Sequence, residues 1–234
     1  MGMNDALFQA ATLIVPLVFA IVFHEVAHGW AARALGDPTA HERRRLSLNP
    51  LRHIDPVGTI VLPAILSLIN APVFGWAKPV PVNKYRLANP RSGMMLVAAA
   101  GPLTNLVLAG LGAVALGLLA RGAGVSFPGG FSGTARFAAA NINNFILINI
   151  FLALFNLLPV PPFDGSHIVE GILPARAARA YERLRPFGLP LMFLLLLVLP
   201  MIAPGLGIVQ NLVLPPVVWA ADHYYALAAR VAGG

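Results

Sequence analysis

His24-Glu25-Val26-Ala27-His28 holds three groups able to do chemistry within five residues. On a helix, positions i and i+4 share a face, so both imidazoles can reach one zinc ion. Glu25 stands beside them, placed to take a proton from zinc-bound water. The competing reading is structural: two histidines bonding between helices and one paired glutamate. The surroundings decide between them, because the three groups interrupt an apolar run. Ionisable side chains at membrane depth are costly and are functional candidates by default.

A catalytic zinc takes three protein ligands and leaves one position open. The chain has no cysteine, so the third ligand must be His, Asp or Glu. His41 and His53 lie in an Arg-rich loop and read as surface histidines. His223, beside Tyr224 and Tyr225, reads as interfacial. The remaining candidates fall in Asn156–His167, where an apolar helix runs into Pro159, Pro161 and Pro162 and then Asp164-Gly165. Proline cannot continue that helix. A freed backbone and a carboxylate are tolerated at membrane depth only when buried in protein or facing a water-filled cavity. The alternative is a plain helix-ending loop with Asp164 capping Ser166–Leu173. None of the six serines sits in a G-x-S-x-G context, which argues against serine chemistry.

The elements that must position these residues are set by composition. Of 234 residues, 58% are hydrophobic and 11% charged, with a mean hydropathy of +0.76. Soluble domains carry about 25% charged residues, so a solvated globular protein is excluded, and so is disorder. The net charge of +7 belongs to loops between apolar runs, where topology signals and anionic headgroups explain it better than nucleic acid does. A span needs about 20 helical residues. The apolar runs are Leu7–Ala32, Val57–Phe74, Met94–Ala120, Ala138–Leu158, Phe187–Ala203 and Ile208–Ala221. The last is interrupted by Pro215 and Pro216 and followed by Asp222, and the second holds Pro63, Asn70 and Pro72. Asp5 without Lys or Arg before Leu7 argues against a cleaved signal peptide.

HEVAHG together with FNLLPVPPFDGSH resembles the site-2 proteases, whose pattern is HExxH plus a later N-x-x-P-x-x-x-x-D-G. Asn156, Pro159, Asp164 and Gly165 occupy the second pattern. Gly75–Asn83 and Ala100–Asn105 fit the same family, so the likeness spans about Phe23 to His167. The resemblance implies an all-α polytopic membrane protein acting as a zinc-dependent intramembrane endopeptidase. It implies one Zn2+ held by His24, His28 and Asp164, with Glu25 as catalytic base and Asn156 near the scissile carbonyl. It also sets Gly75, Trp76 and Asn105 against the substrate. The expected partners are a transmembrane protein substrate and the lipid bilayer. PDZ and CBS domains, common in the family, find no counterpart, so peptide sensing and nucleotide regulation are not carried over. A single domain over 1–234 is expected, with a catalytic core at about 7–173 and accessory C-terminal helices at about 187–230. A metal transporter would spread its ionisable residues along a path through several helices. A catalytically silent zinc scaffold would have no need of Glu25.

A substrate helix hides its backbone in its own hydrogen bonds and must unwind before a carbonyl is reached. Val73–Val82 is the best candidate for an edge that holds the extended segment by β-addition. Val57–Phe74 is expected to be re-entrant, with a β-hairpin as the alternative form. His24 and His28 lie toward the C-terminal end of their run and Asp164 just beyond another, so the two helices must run in the same direction. Met94–Ala120 supplies the one crossing this needs. Counting Lys and Arg agrees: six spans divide them seven against nine, whereas a re-entrant second segment puts fourteen on one side against Arg121 and Arg136 on the other. By the positive-inside rule this gives five spans, the N-terminus outside the cell membrane and the zinc nearer the cytosol. Single cysteines at positions 45, 84, 126 and 179 of the cysteine-free chain test the topology with a membrane-impermeant thiol reagent. Intact cells should label position 126 alone. Labelling at 84 without labelling at 45 would overturn the hairpin.

Overall fold

Small residues on one side of the longest apolar helix, with Leu and Val on the other, help make a bundle whose exterior is greasy. The computed structural model describes residues 3–69, 75–125 and 130–233, and among them it is helical without strands. The elements are α1 (Met3–Ala34), α2 (Thr39–Glu42), α3 (Leu62–Leu68), α4 (Pro90–Gly122), α5 (Gly133–Asn156), α6 (Asp164–Ile172), α7 (Ala175–Glu182), α8 (Gly188–Phe193), α9 (Leu199–Ile202) and α10 (Leu214–Ala232). Four helical stretches are long and apolar enough to cross a membrane: Leu7–Ala34, Pro90–Gly122, Gly133–Asn156 and Ala175–Ile202. The fifth expected span is helical too, as a π turn (Val209–Val213) leading into α10. Asp222, His223 and Arg230 make it less apolar than the others.

Helix α4 is the hub, packing on α1, α5, α6 and α10. Its buried stripe is small, including Gly101, Ala109, Gly112, Ala113, Gly117 and Ala120. Its exposed Leu96, Leu103, Val107, Leu111 and Leu118 recur at helical spacing on the opposite face. Lipid tails are as apolar as leucine, so burying leucine gains little there; close backbone approach through small residues holds such helices together. A Cβ on Gly112 would stand 2.9 Å from Ile146 of α5, and one on Gly117 2.7 Å from Val231 of α10. The fully buried Ile146 and Ile150 of α5 fill the space these residues leave.

The segment after α1 folds back on itself. Its helical arm is a π turn (Pro56–Val61) running into α3. Asp55 caps that turn, its Oδ1 accepting from the N–H groups of Val57 and Gly58 at 3.0 and 2.7 Å. The chain then returns to where the arm began: Trp76 N–H donates to Gly58 O at 3.2 Å and Lys78 N–H to His53 O at 2.8 Å. The Thr59 hydroxyl donates to Trp76 O at 2.9 Å. Asn70, Pro72, Val73 and Phe74, part of the expected re-entrant and edge segments, lie outside the described residues. Gly75–Val82 is neither helical nor paired in a ladder, so the described residues carry no β-hairpin. His53 departs from its reading as a surface histidine. It is 3% exposed, and its Nε2 bonds Ser47 O at 2.7 Å.

Asp37 clamps the exit of α1 to the approach to α4. It is fully buried. Its Oδ2 accepts from Asn83 N–H at 2.6 Å and its Oδ1 from Thr39 N–H at 3.0 Å, with the Thr39 hydroxyl also donating to Oδ1. Arg86 reaches the Thr39 hydroxyl at 3.2 Å and grips Glu42 with two bonds of 2.6 and 2.9 Å. Burial pushes the Asp37 carboxyl up, but the Thr39 hydroxyl, the two backbone N–H groups and the Arg86 charge together hold it below the usual carboxylate range. A lowered folded pKa contributes stability that is present above the unfolded value of about 3.9 and is lost as pH falls through the folded value. Asp37→Asn should therefore cost about 1–2 kcal/mol at pH 7, read as a lower melting temperature in detergent. The gap to the parent protein should close as the pH drops below about 4. A gap that persists unchanged in acid would refute the charge argument.

Candidate metal centre

The two histidines come from the buried C-terminal half of α1, one turn apart. Their ring centroids lie 4.6 Å apart with the planes nearly perpendicular. Each has its Nδ1 tied to a neighbour on α4. His24 Nδ1 meets Asn105 Oδ1 at 2.6 Å, and His28 Nδ1 meets the carbonyl of Val97 at 2.7 Å. An oxygen acceptor facing Nδ1 puts the ring proton there. In the neutral rings the Nε2 atoms are then lone pairs, and they face each other at 3.0 Å.

Asp164 arrives from the opposite direction. Leu157 caps the end of α5, and turns through Val160 and Phe163 carry the chain to Asp164, the first residue of α6. Gly165 makes the turn possible, since a side chain there would collide with the carbonyls of Leu157 and Leu158. Asp164 Oδ2 ends 3.1 Å from His24 Nε2 and 3.3 Å from His28 Nε2. The side chains of His24, His28 and Asp164 are 8%, 11% and 19% exposed. Oδ2 is buried and faces no hydrogen-bond donor.

Two imidazole nitrogens and a carboxylate oxygen thus converge in a shielded space, within 3.3 Å of one another. Unpaired, such a grouping is repulsive and costly to bury; a cation at its centre satisfies all three. Among the described residues, His24, His28 and Asp164 form a group whose ligand atoms all lie within 4.8 Å of one another. Two imidazoles and a carboxylate are a donor set that suits zinc, leaving a fourth position open. The cradle also depends on Gly101 of α4. A Cβ there would sit 2.6 Å from His28 Nε2 and from the Cε1 atoms of both rings.

Glu25, next to His24, turns to the Gly75–Val82 segment, and its Oε2 accepts from Val80 N–H at 2.8 Å. Gly75 and Trp76 pack against the start of the folded-back arm, where a Cβ on Gly75 would stand 3.1 Å from Pro63 Cγ. Asn156 donates to Leu152 O at 2.9 Å along its own helix. Asn105 sits elsewhere than the sequence suggested. It is fully buried behind His24 rather than on a substrate-facing surface. Asn149, also fully buried, bonds Asn105 and was missed from sequence. The available signal was a run of asparagines (Asn141, Asn143, Asn144, Asn149) inside an apolar helix. At the outer flank of α6, Arg185 joins His167 Nδ1 at 2.8 Å and the Glu170 carboxylate, tying the Asp164 helix to the start of α8. Burial and then the adjacent Arg185 charge push His167 down to about 4, so its neutral ring accepts from the guanidinium.

Comparison with known proteins follows the same line. The description "Peptidase family M50" matches residues 132–199. "Putative zinc metalloprotease YwhC" of Bacillus subtilis (strain 168) is 38% identical over 190 residues, covering 81% of each chain. "Putative zinc metalloprotease Rip2" of Mycolicibacterium smegmatis is 28% identical over 195 residues, 83% of this chain and 68% of that one. A relative of the same named kind from Methanocaldococcus jannaschii is 29% identical over 166 residues, 70% of this chain and 73% of its own. No solved structure matches. With a helical membrane bundle, a His-His-Asp cluster and a relative this similar over four-fifths of both chains, the protein belongs to Peptidase family M50, the site-2 proteases.

Proposed function

We propose that the chain is a zinc-dependent intramembrane endopeptidase that hydrolyses a peptide bond in or near a transmembrane helix of another membrane protein. The observation that carries this reading is the convergence of His24 Nε2, His28 Nε2 and Asp164 Oδ2 within 3.3 Å of one another. These three residues would hold the ion. Zinc bound there would supply Lewis acidity for amide hydrolysis.

Glu25 acts as the base. Its carboxylate takes a proton from the attacking water as the water oxygen bonds to the scissile carbonyl carbon. It returns that proton to the leaving nitrogen as the C–N bond breaks, giving a free carboxyl and a free amine. The Val80 N–H bond orients Glu25 while leaving Oε1 for the water. Asn156, at the last turn of α5, can release its bond to Leu152 and donate to the carbonyl oxygen as negative charge develops there. The mostly buried ligands oblige a substrate to present an unwound strand. Gly75–Val82 is neither helical nor paired in a sheet and meets Glu25 at Val80, which favours it as the surface that holds such a strand.

The membrane reading has the N-terminus outside, the site nearer the cytosol, and 57–74 dipping in and returning on the cytosolic side. The hydrogen bonds from Trp76 and Lys78 back to Gly58 and His53 support it, since both ends of the segment stand together.

Zinc content of purified variants tests the ligand set. One ion per chain is expected in the parent, and His24→Ala, His28→Ala and Asp164→Ala should each lose it. Normal zinc in Asp164→Ala would remove Asp164 from the set. Glu25→Gln should keep its zinc and lose cleavage of a membrane-embedded substrate by about 10²–10⁴-fold. Full cleavage by that variant would sink the peptidase reading. Asn156→Ala should keep zinc and slow turnover by about 10²–10³-fold; unchanged turnover would return Asn156 to a structural role.

A further inference from the structure

The reading of His24, His28 and Asp164 as a metal centre leaves a question that the geometry answers. A neutral imidazole carries its one proton on either nitrogen. Beside a carboxylate, His24 would gain by placing it on Nε2 and donating to Asp164. That tautomer would fill the space meant for the ion.

We propose that Asn149 and Asn105 are positioning residues, two amides in series that lock the His24 proton onto Nδ1 and so keep its Nε2 lone pair turned to the cation. The direction of the chain of bonds is fixed from its far end. A backbone carbonyl only accepts, so the Asn149 nitrogen must face Phe145 O, which it does at 2.8 Å. Its Oδ1 therefore points toward α4 and accepts from Asn105 Nδ2 at 2.7 Å. The other N–H of Asn105 goes to Ala20 O at 3.2 Å, a second acceptor-only group. Two carbonyls on two helices thus force the Asn105 amide into one orientation. What remains is Oδ1, set 2.6 Å from His24 Nδ1. An oxygen at that place accepts and cannot donate, so His24 must carry its proton on Nδ1.

Both asparagines are fully buried, with no water to exchange bonds with. Reversing any one amide would bring two carbonyl oxygens face to face in a medium of low dielectric. His28 reaches the same state by a different device, a direct bond to Val97 O. The relay crosses three helices, joining Phe145 and Asn149 of α5, Asn105 of α4, and Ala20 and His24 of α1. It specifies a ligand's chemistry as well as holding helices together.

The inference rests on the zinc reading for its purpose, but its core claim concerns the tautomer, which is measurable without metal. The full chain, labelled with 15N-histidine and purified metal-free in detergent at pH 8, should show a His24 signal of the Nδ1–H form, assigned by its absence in His24→Ala. Asn105→Leu should shift that signal toward the Nε2–H form. Competition with a zinc chelator should show a 10–100-fold weaker affinity in Asn105→Leu and in Asn149→Leu. Asn149→Asp is the decisive control. Burial keeps its carboxyl protonated, so the O–H donates to Phe145 and the C=O accepts from Asn105, preserving the direction of the relay. It should hold zinc within about threefold of the parent and keep the Nδ1–H signal.

Parent-like zinc affinity and an unmoved His24 signal in both leucine variants would overturn the relay. Equal losses in Asn149→Asp and Asn149→Leu would also overturn it, because shape and not polarity would then be what matters. Failure of the parent protein itself to bind zinc would refute the metal reading instead, and the metal-free spectra would still decide the tautomer.

Discussion

Three lone pairs turned toward one another inside a bundle of apolar helices form the constraint on which this structure depends. His24, His28 and Asp164 face one another at 3.0–3.3 Å, and each acceptor is more than four-fifths shielded. With both rings neutral and their protons on Nδ1, such an arrangement is repulsive until a positive charge sits at its centre. Each surrounding feature can be read as meeting that demand. The Nδ1 atoms are occupied by acceptors, so no ring proton fills the centre. Gly101 removes the side chain that would collide with both rings. Gly165 lets the chain turn sharply enough after α5 to bring a carboxylate back to the level of the α1 histidines.

The means of holding the helices follows from the solvent. In water a bundle gains by burying leucine, but between lipid tails and protein that gain nearly vanishes. Helix α4 accordingly turns its glycines and alanines inward and its leucines outward. Polar groups inside the bundle are then few and bonded. Tyr224 donates to Leu106 O at 2.9 Å, joining α10 to α4, and Asn144 donates to Thr12 O at 2.9 Å, joining α5 to α1. The same rule that makes an unpaired amide expensive there makes a fully paired one a reliable device for fixing orientation.

Outside the bundle the attachments change character and become ionic. Asp37 with Thr39 and Asn83, Arg86 with Glu42, Lys84 with Glu182 at 2.8 Å, and Arg185 with Glu170 tie the loops around the site to one another. Gly75–Val82 itself is held by Trp76 and Lys78 bonding Gly58 and His53 and by Arg45 donating to Lys78 O at 2.8 Å, and that segment presents Val80 N–H to Glu25. The Glu25 carboxylate is therefore oriented by a segment distant from it in the chain.

Much of the centre was legible in the sequence because its logic is local. The i, i+4 spacing of His24 and His28 fixes a shared helical face whatever else the chain does, and a run of prolines followed by Asp-Gly can only end a helix. Apolar runs of span length fixed the helices for the same reason, since a backbone in lipid must bond to itself. Asn105 was legible as a polar residue in an apolar helix, but its role was not. Whether it faces substrate or the back of a histidine depends on the rotation of α4 against α1, which Gly101 and the opposing rings set between them. Asn149 was invisible for a like reason: its partner lies 44 residues away, on a helix whose register only packing decides. The composition dictated that there would be membrane helices, and the i, i+4 spacing that His24 and His28 would share a face. The depth of each polar group, and the direction in which each hydrogen bond runs, were decided by how closely small residues let those helices meet.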